Sequence, residues 1–121
     1  HAYLYNGSTM TDLGTLGGTN SSAFAINDSG QVVGWSYTAG NAAQHAFLYS
    51  GSVKTDLNTL IDPSLGWTLK VATGINDSGQ VCGYGVINGQ EHAFLLTIPE
   101  PASALLIGAG ILFARLRRRQ R

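Results

Sequence analysis

The chain has 121 residues, 44% hydrophobic and only 12% charged, and its formal net charge of zero conceals an uneven distribution. All five arginines fall in residues 115–121, so residues 1–100 carry Lys54 and Lys70 against seven carboxylates, a net of −5. An acidic body without a basic patch excludes nucleic-acid binding through phosphate neutralisation, and the single cysteine, Cys82, excludes an intrachain disulfide.

From the first residue onward the chain repeats itself. His1-Ala2-Tyr3-Leu4-Tyr5 returns as His45-Ala46-Phe47-Leu48-Tyr49 and as His92-Ala93-Phe94-Leu95-Leu96, at spacings of 44 and 47 residues. Thr11-Asp12-Leu13-Gly14-Thr15-Leu16 recurs as Thr55-Asp56-Leu57-Asn58-Thr59-Leu60, and Ile26-Asn27-Asp28-Ser29-Gly30-Gln31-Val32 recurs residue for residue as Ile75-Asn76-Asp77-Ser78-Gly79-Gln80-Val81. One order of motifs kept through successive copies predicts one supersecondary unit used repeatedly.

Each copy reads as short strands separated by turn residues. The Asn-Asp-Ser-Gly segments at 27–30 and 76–79 predict hairpin loops with glycine at positive φ; Asn6-Gly7, Ser50-Gly51 and Asn88-Gly89 mark further turns. Strands are expected over 23–26, 31–37, 44–49 and 53–57, four antiparallel strands in a unit of β-propeller-blade size. The predicted division is a half blade at 1–16, a full unit at 17–60 and a partial unit at 61–97. Such a set cannot close a ring, so the body reads as the C-terminal piece of a longer protein.

The pentads, with the Asp-Leu-Gly-Thr-Leu-Gly-Gly run at 12–18 and the Ala-Ile-Asn-Asp-Ser-Gly-Gln-Val-Val-Gly run at 25–34, resemble the bacterial extracellular HAF repeat. The resemblance covers residues 1–97 and implies an extracellular β-repeat protein. It supplies no catalytic residue.

His1, His45 and His92 fall one per repeat, which favours structural hydrogen bonding over a shared metal site. Asp28 and Asp77 sit in loops with too few oxygen ligands for calcium, and turn chemistry is the expected role. Cys82 aligns with Val33, which predicts a buried apolar substitute. No strained nucleophile motif surrounds any serine, so no enzyme, cofactor or metal is expected. Trp35, Trp67, Tyr37 and Tyr84 could form a sugar-binding surface, since aromatic faces stack on carbohydrate; core packing is the expected use of Trp35, and exposure that of Trp67, in an inserted loop.

The C-terminal stretch differs in kind. Pro99-Glu100-Pro101 is followed by residues 102–114, apolar or small apart from Ser103, and then by Arg115, Arg117, Arg118, Arg119 and Arg121. As a helix this apolar run would span about 20 Å against about 30 Å of hydrocarbon, so length alone leaves a short membrane helix and a docked core helix both open. The proline at its start, the flanking arginines and the lack of polar periodicity favour the membrane helix, with the arginines on the cytoplasmic side.

This arrangement resembles the PEP-CTERM sorting signal of Gram-negative bacteria, also described as the ice-binding protein C-terminal domain. The resemblance implies export, recognition of Pro99, Glu100 and Pro101 by an exosortase-type membrane protease, and an inner-membrane stop held by the five arginines. Removal of the tail and delivery to the cell surface or an exopolysaccharide matrix follow. The combined expectation is an all-β repeat body of propeller-blade-like units at 1–97 plus one C-terminal hydrophobic α-helix at 102–114 within the sorting signal at 98–121. Its expected function is a non-catalytic surface protein; the alternatives are a carbohydrate- or ice-binding module and a fragment of a surface enzyme.

Overall fold

A computed structural model describes residues 1–99. They form nine strands: β1 (Ala2–Tyr5), β2 (Met10–Gly14), β3 (Gly17–Ile26), β4 (Val32–Thr38), β5 (Gln44–Ser50), β6 (Val53–Asp56), β7 (Trp67–Ile75), β8 (Gln80–Ile87) and β9 (Gln90–Thr97). All named strand pairs are antiparallel neighbours in sequence, giving a two-stranded first sheet (β1-β2), a four-stranded middle sheet (β3-β4-β5-β6) and a three-stranded third sheet (β7-β8-β9). Short 3-10 turns occupy Ala39–Asn41, Leu57–Leu60 and Pro63–Leu65.

The turn residues explain where the strands end. Gly30 and Gly79 close the β3-β4 and β7-β8 hairpins at φ of 78° and 80°, a region that side chains with a Cβ enter only at a cost. In both loops the asparagine side chain replaces missing backbone partners: Asn27 Oδ1 accepts from the amides of Ser29 and Gln31, and Asn76 Oδ1 from those of Ser78 and Gln80. Each hairpin also carries a bulge at the same point, after Ala23 in β3 and after Ala72 in β7. Opposite these bulges stand Gly34 and Gly83, where an added Cβ would collide with the carbonyl oxygens of Ser22 and Val71.

Alternation along the strands places one apolar set on each face of the middle sheet. Val32 and Phe47 pack toward the first sheet with Ala2 and Leu13, supported by Leu4, Leu16 and Tyr49. Val33, Ala46 and Leu48, with Leu57 from the following turn, pack toward the third sheet with Leu69, Ala72, Val81 and Ile98. Two cores thus hold three sheets, and among the described residues no buried cluster joins the first sheet to the third. Ser21 stitches the first interface, donating to the carbonyl of Gly14 at 2.6 Å and accepting from the amide of Ala2 at 2.8 Å.

The expected architecture is corrected in two respects. Among the described residues there is no α-helix, and none of their helical turns is long and apolar enough to cross a membrane. The fold is therefore all-β, and the helix expected over residues 102–114 lies outside the described residues. The sheets also do not close as a propeller: they stack in sequence, and among the described residues nothing covers the outer face of the sheet at either end. Tyr3 and Tyr5 are exposed on the first sheet and Leu95 on the third, whereas Phe47 and Leu48, at corresponding positions of the middle sheet, are buried. Strand limits shift as well. β3 begins at Gly17 instead of residue 23: Gly17 pairs with Thr38, and Ser21 and Ser22 with Ser36 and Trp35, although the polar run Thr19-Asn20-Ser21-Ser22 carries little apolar alternation to announce a strand.

Candidate functional site

The polar residues of the repeats form a lattice of local contacts. His1 Nδ1 lies 2.9 Å from Asp12 Oδ1, and His45 Nδ1 lies 2.6 Å from Asp56 Oδ2. Each aspartate also turns back on its own chain, Asp12 accepting from the amide of Gly14 at 2.7 Å and Asp56 from that of Asn58 at 2.9 Å. His92 instead meets Trp67 edge to face, with ring centroids 6.4 Å apart. The three histidines therefore stand in three different sheets, and no group of three or more histidine, cysteine, aspartate or glutamate side chains placed to hold a metal ion occurs among the described residues.

The two Asn-Asp-Ser-Gly loops touch each other. Asn27 Nδ2 donates to the carbonyl of Asn76 at 3.0 Å, and the amide of Asp28 donates to Asp77 Oδ1 at 2.8 Å. The Asp28 carboxyl is raised above its ordinary value by its hydrogen bond with Asp77 and by that neighbour's negative charge. Asp62, which caps the turn at Pro63–Leu65, is lowered by the amide and hydroxyl of Ser64. The aspartates join the loops, while the turn itself is made by the asparagines.

The sorting segment begins where this framework ends. β9 stops at Thr97; the amide of Ile98 then donates to the carbonyl of Gly79 at 2.8 Å, and the Ile98 side chain is 7% exposed in the core between the middle and third sheets. Pro99 follows at once on the surface, beside an apolar depression lined by Val53, Leu60 and Ile98. Proline lacks the amide needed to extend a ladder and holds its predecessor extended, so the sequence itself ends the strand here. Glu100, Pro101, Arg115, Arg117, Arg118, Arg119 and Arg121 lie outside the described residues.

A protein-family model for the PEP-CTERM protein-sorting motif matches residues 97–120. The PEP-CTERM motif implies an exported protein, recognised by exosortase, a membrane protein, and sorted to the cell envelope or surface. No curated protein and no solved structure matches the chain. The PEP-CTERM match starts at Thr97, the last residue of β9, so it overlaps the described body at Thr97, Ile98 and Pro99.

Two side chains, Cys82 and Trp67, stand elsewhere than the sequence suggested. Cys82 is exposed, because it lies on the uncovered face of the third sheet while its counterpart Val33 is covered by that sheet. Trp67 opens β7 and packs against the core instead of projecting from a loop. Trp35 stacks edge to face on Tyr37 at 5.2 Å. Sequence reasoning missed the histidine–aspartate pairs, although a signal was present: His1 to Asp12 and His45 to Asp56 are both separated by eleven residues.

Proposed function

We propose that this chain is a non-catalytic HAF-type repeat protein of a Gram-negative bacterium, handed to an exosortase through its PEP-CTERM tail. In this reading residues 102–114 and the five terminal arginines hold the chain at the inner membrane until it is processed at Pro99-Glu100-Pro101. The body is then released to the cell surface or retained in exopolysaccharide. The observation that carries the reading is the PEP-CTERM match at residues 97–120, which begins on the last residue of β9 and takes in the anchored Ile98 and the exposed Pro99.

Changing Pro99 and Pro101 together to Ala in a cell carrying an exosortase tests this. The account expects the variant to accumulate uncleaved with the membrane fraction; cleavage and surface delivery at the normal level would refute it.

A second reading, carbohydrate binding by the body, is favoured by Tyr3 and Tyr5, which alternate along β1 and are 62% and 57% exposed. Aromatic faces of this kind stack on sugar rings. Retention of the isolated cell-surface polysaccharide by the wild-type chain, lost in the Tyr3→Ala, Tyr5→Ala variant, would support it.

A further inference from the structure

β1, β5 and β9 carry the three copies of one pentad, but β9 is the only one of them without a strand on its outer edge among the described residues. β1 pairs with β2 and β5 with β6 in a common register: Tyr3 and Phe47 stand opposite Asp12 and Asp56, and Leu4 and Leu48 opposite Thr11 and Thr55. The histidine that opens the pentad then reaches the aspartate of the added strand, at 2.9 Å for His1 and 2.6 Å for His45. The leucine after each aspartate is buried, Leu13 at 2% and Leu57 at 0% exposure.

β9 presents the same half of this arrangement unfilled. His92, Ala93 and Leu95 are exposed, and an apolar cavity of about 390 Å³ opens along the strand between Ile61, Leu65 and Trp67 on one side and Phe94 and Leu96 on the other. An edge strand with unpaired amides and carbonyls is a template for a further strand.

We propose that the outer edge of β9 is a strand-addition site for an extended peptide segment carrying Thr-Asp-Leu. The segment pairs antiparallel, with its aspartate opposite Phe94 and its threonine opposite Leu95. His92 hydrogen-bonds the incoming carboxylate as His45 does Asp56. The leucine stands on the opposite face from the carboxylate, over the exposed Ala93 and Leu95, as Leu57 packs with Ala46 and Leu48. Backbone pairing supplies affinity, while the carboxylate and the leucine set the register and select the sequence. This assignment does not depend on the sorting of the chain.

The probe is a synthetic peptide with the sequence of residues 51–60, titrated into the full chain, with backbone amide hydrogen exchange as the readout. The expected result is saturable binding that slows exchange along residues 90–97. Affinity should fall about tenfold for a peptide with the aspartate changed to alanine, as for loss of a hydrogen bond to a charged group, and similarly for the His92→Gln chain. A peptide with proline in place of threonine should not bind, because it lacks the ladder amide. No protection of residues 90–97 at saturating peptide, protection confined to another edge, or equal binding of the proline peptide would overturn the proposal. The peptide variants leave the folded chain untouched, so the result stands even if His92→Gln perturbs folding.

Discussion

His45 and Asp56 face each other across β5 and β6 at 2.6 Å, and His1 and Asp12 repeat the contact across β1 and β2 at 2.9 Å. The two pairs differ in exposure: the His45 and Asp56 side chains are each 22% exposed, those of His1 and Asp12 43% and 66%. Asp56→Ala removes the histidine's partner and the cap on Asn58 together, and should cost about 1–2 kcal/mol. Asp12→Ala, in the more solvated pair, should cost under about 1 kcal/mol. Urea unfolding of the two variants checks both the magnitudes and their order.

Gly30→Val and Gly79→Val should each destabilise the chain by about 1–2 kcal/mol, since both glycines hold positive φ that a β-branched residue tolerates poorly. Gly79 also accepts the hydrogen bond that anchors Ile98. Faster amide exchange at Ile98 should therefore accompany Gly79→Val and be absent from Gly30→Val.

The aspartate contact between the hairpin loops makes stability depend on pH in a fixed direction. The folded Asp28 carboxyl is raised above 3.8 by Asp77, so its contribution favours folding most below the unfolded value and is lost as pH rises through the folded one. Asp77→Asn keeps the oxygen that accepts the Asp28 amide and removes the like charge. Its melting temperature should gain on the wild type as pH rises from below 3.8 toward neutrality. A difference between the two that is constant with pH would contradict the contact.

Repeat-equivalent leucines should respond differently. Leu48 is 5% exposed between two sheets and Leu95 is 69% exposed on the uncovered face of the third. Leu48→Ala should cost about 2–5 kcal/mol, and Leu95→Ala no more than about 0.5 kcal/mol. Thermal melts of the two single variants provide the comparison.

The sequence showed most where local chemistry decides the outcome. Paired Asn-Asp-Ser-Gly loops and Asn-Gly turns dictate hairpins from a few residues, and the three pentads are short aromatic and aliphatic runs near turn residues, which marks them as strands. Burial was less legible, because it depends on which sheets stack: Cys82 and Val33 occupy the same place in their hairpins, yet one is exposed and the other has 0% exposure. Partners across strands were also hidden, since His45 and Asp56 meet only through the β5-β6 register. At the sorting segment, Pro99 was readable from proline's own geometry. The anchoring of Ile98 to Gly79 was not, because it joins residues nineteen positions apart, one just past the end of β9 and one in the loop before β8.

The most direct test of the account is the C-terminus of the mature protein, determined by mass spectrometry from matched cells with and without the exosortase. The account predicts that cells with the enzyme yield a chain ending at or near Pro99-Glu100-Pro101, with residues 1–98 intact and the arginine tail gone, while cells without it retain the chain through Arg121. A chain ending at Arg121 in both, or the same shortened chain in both, would contradict it.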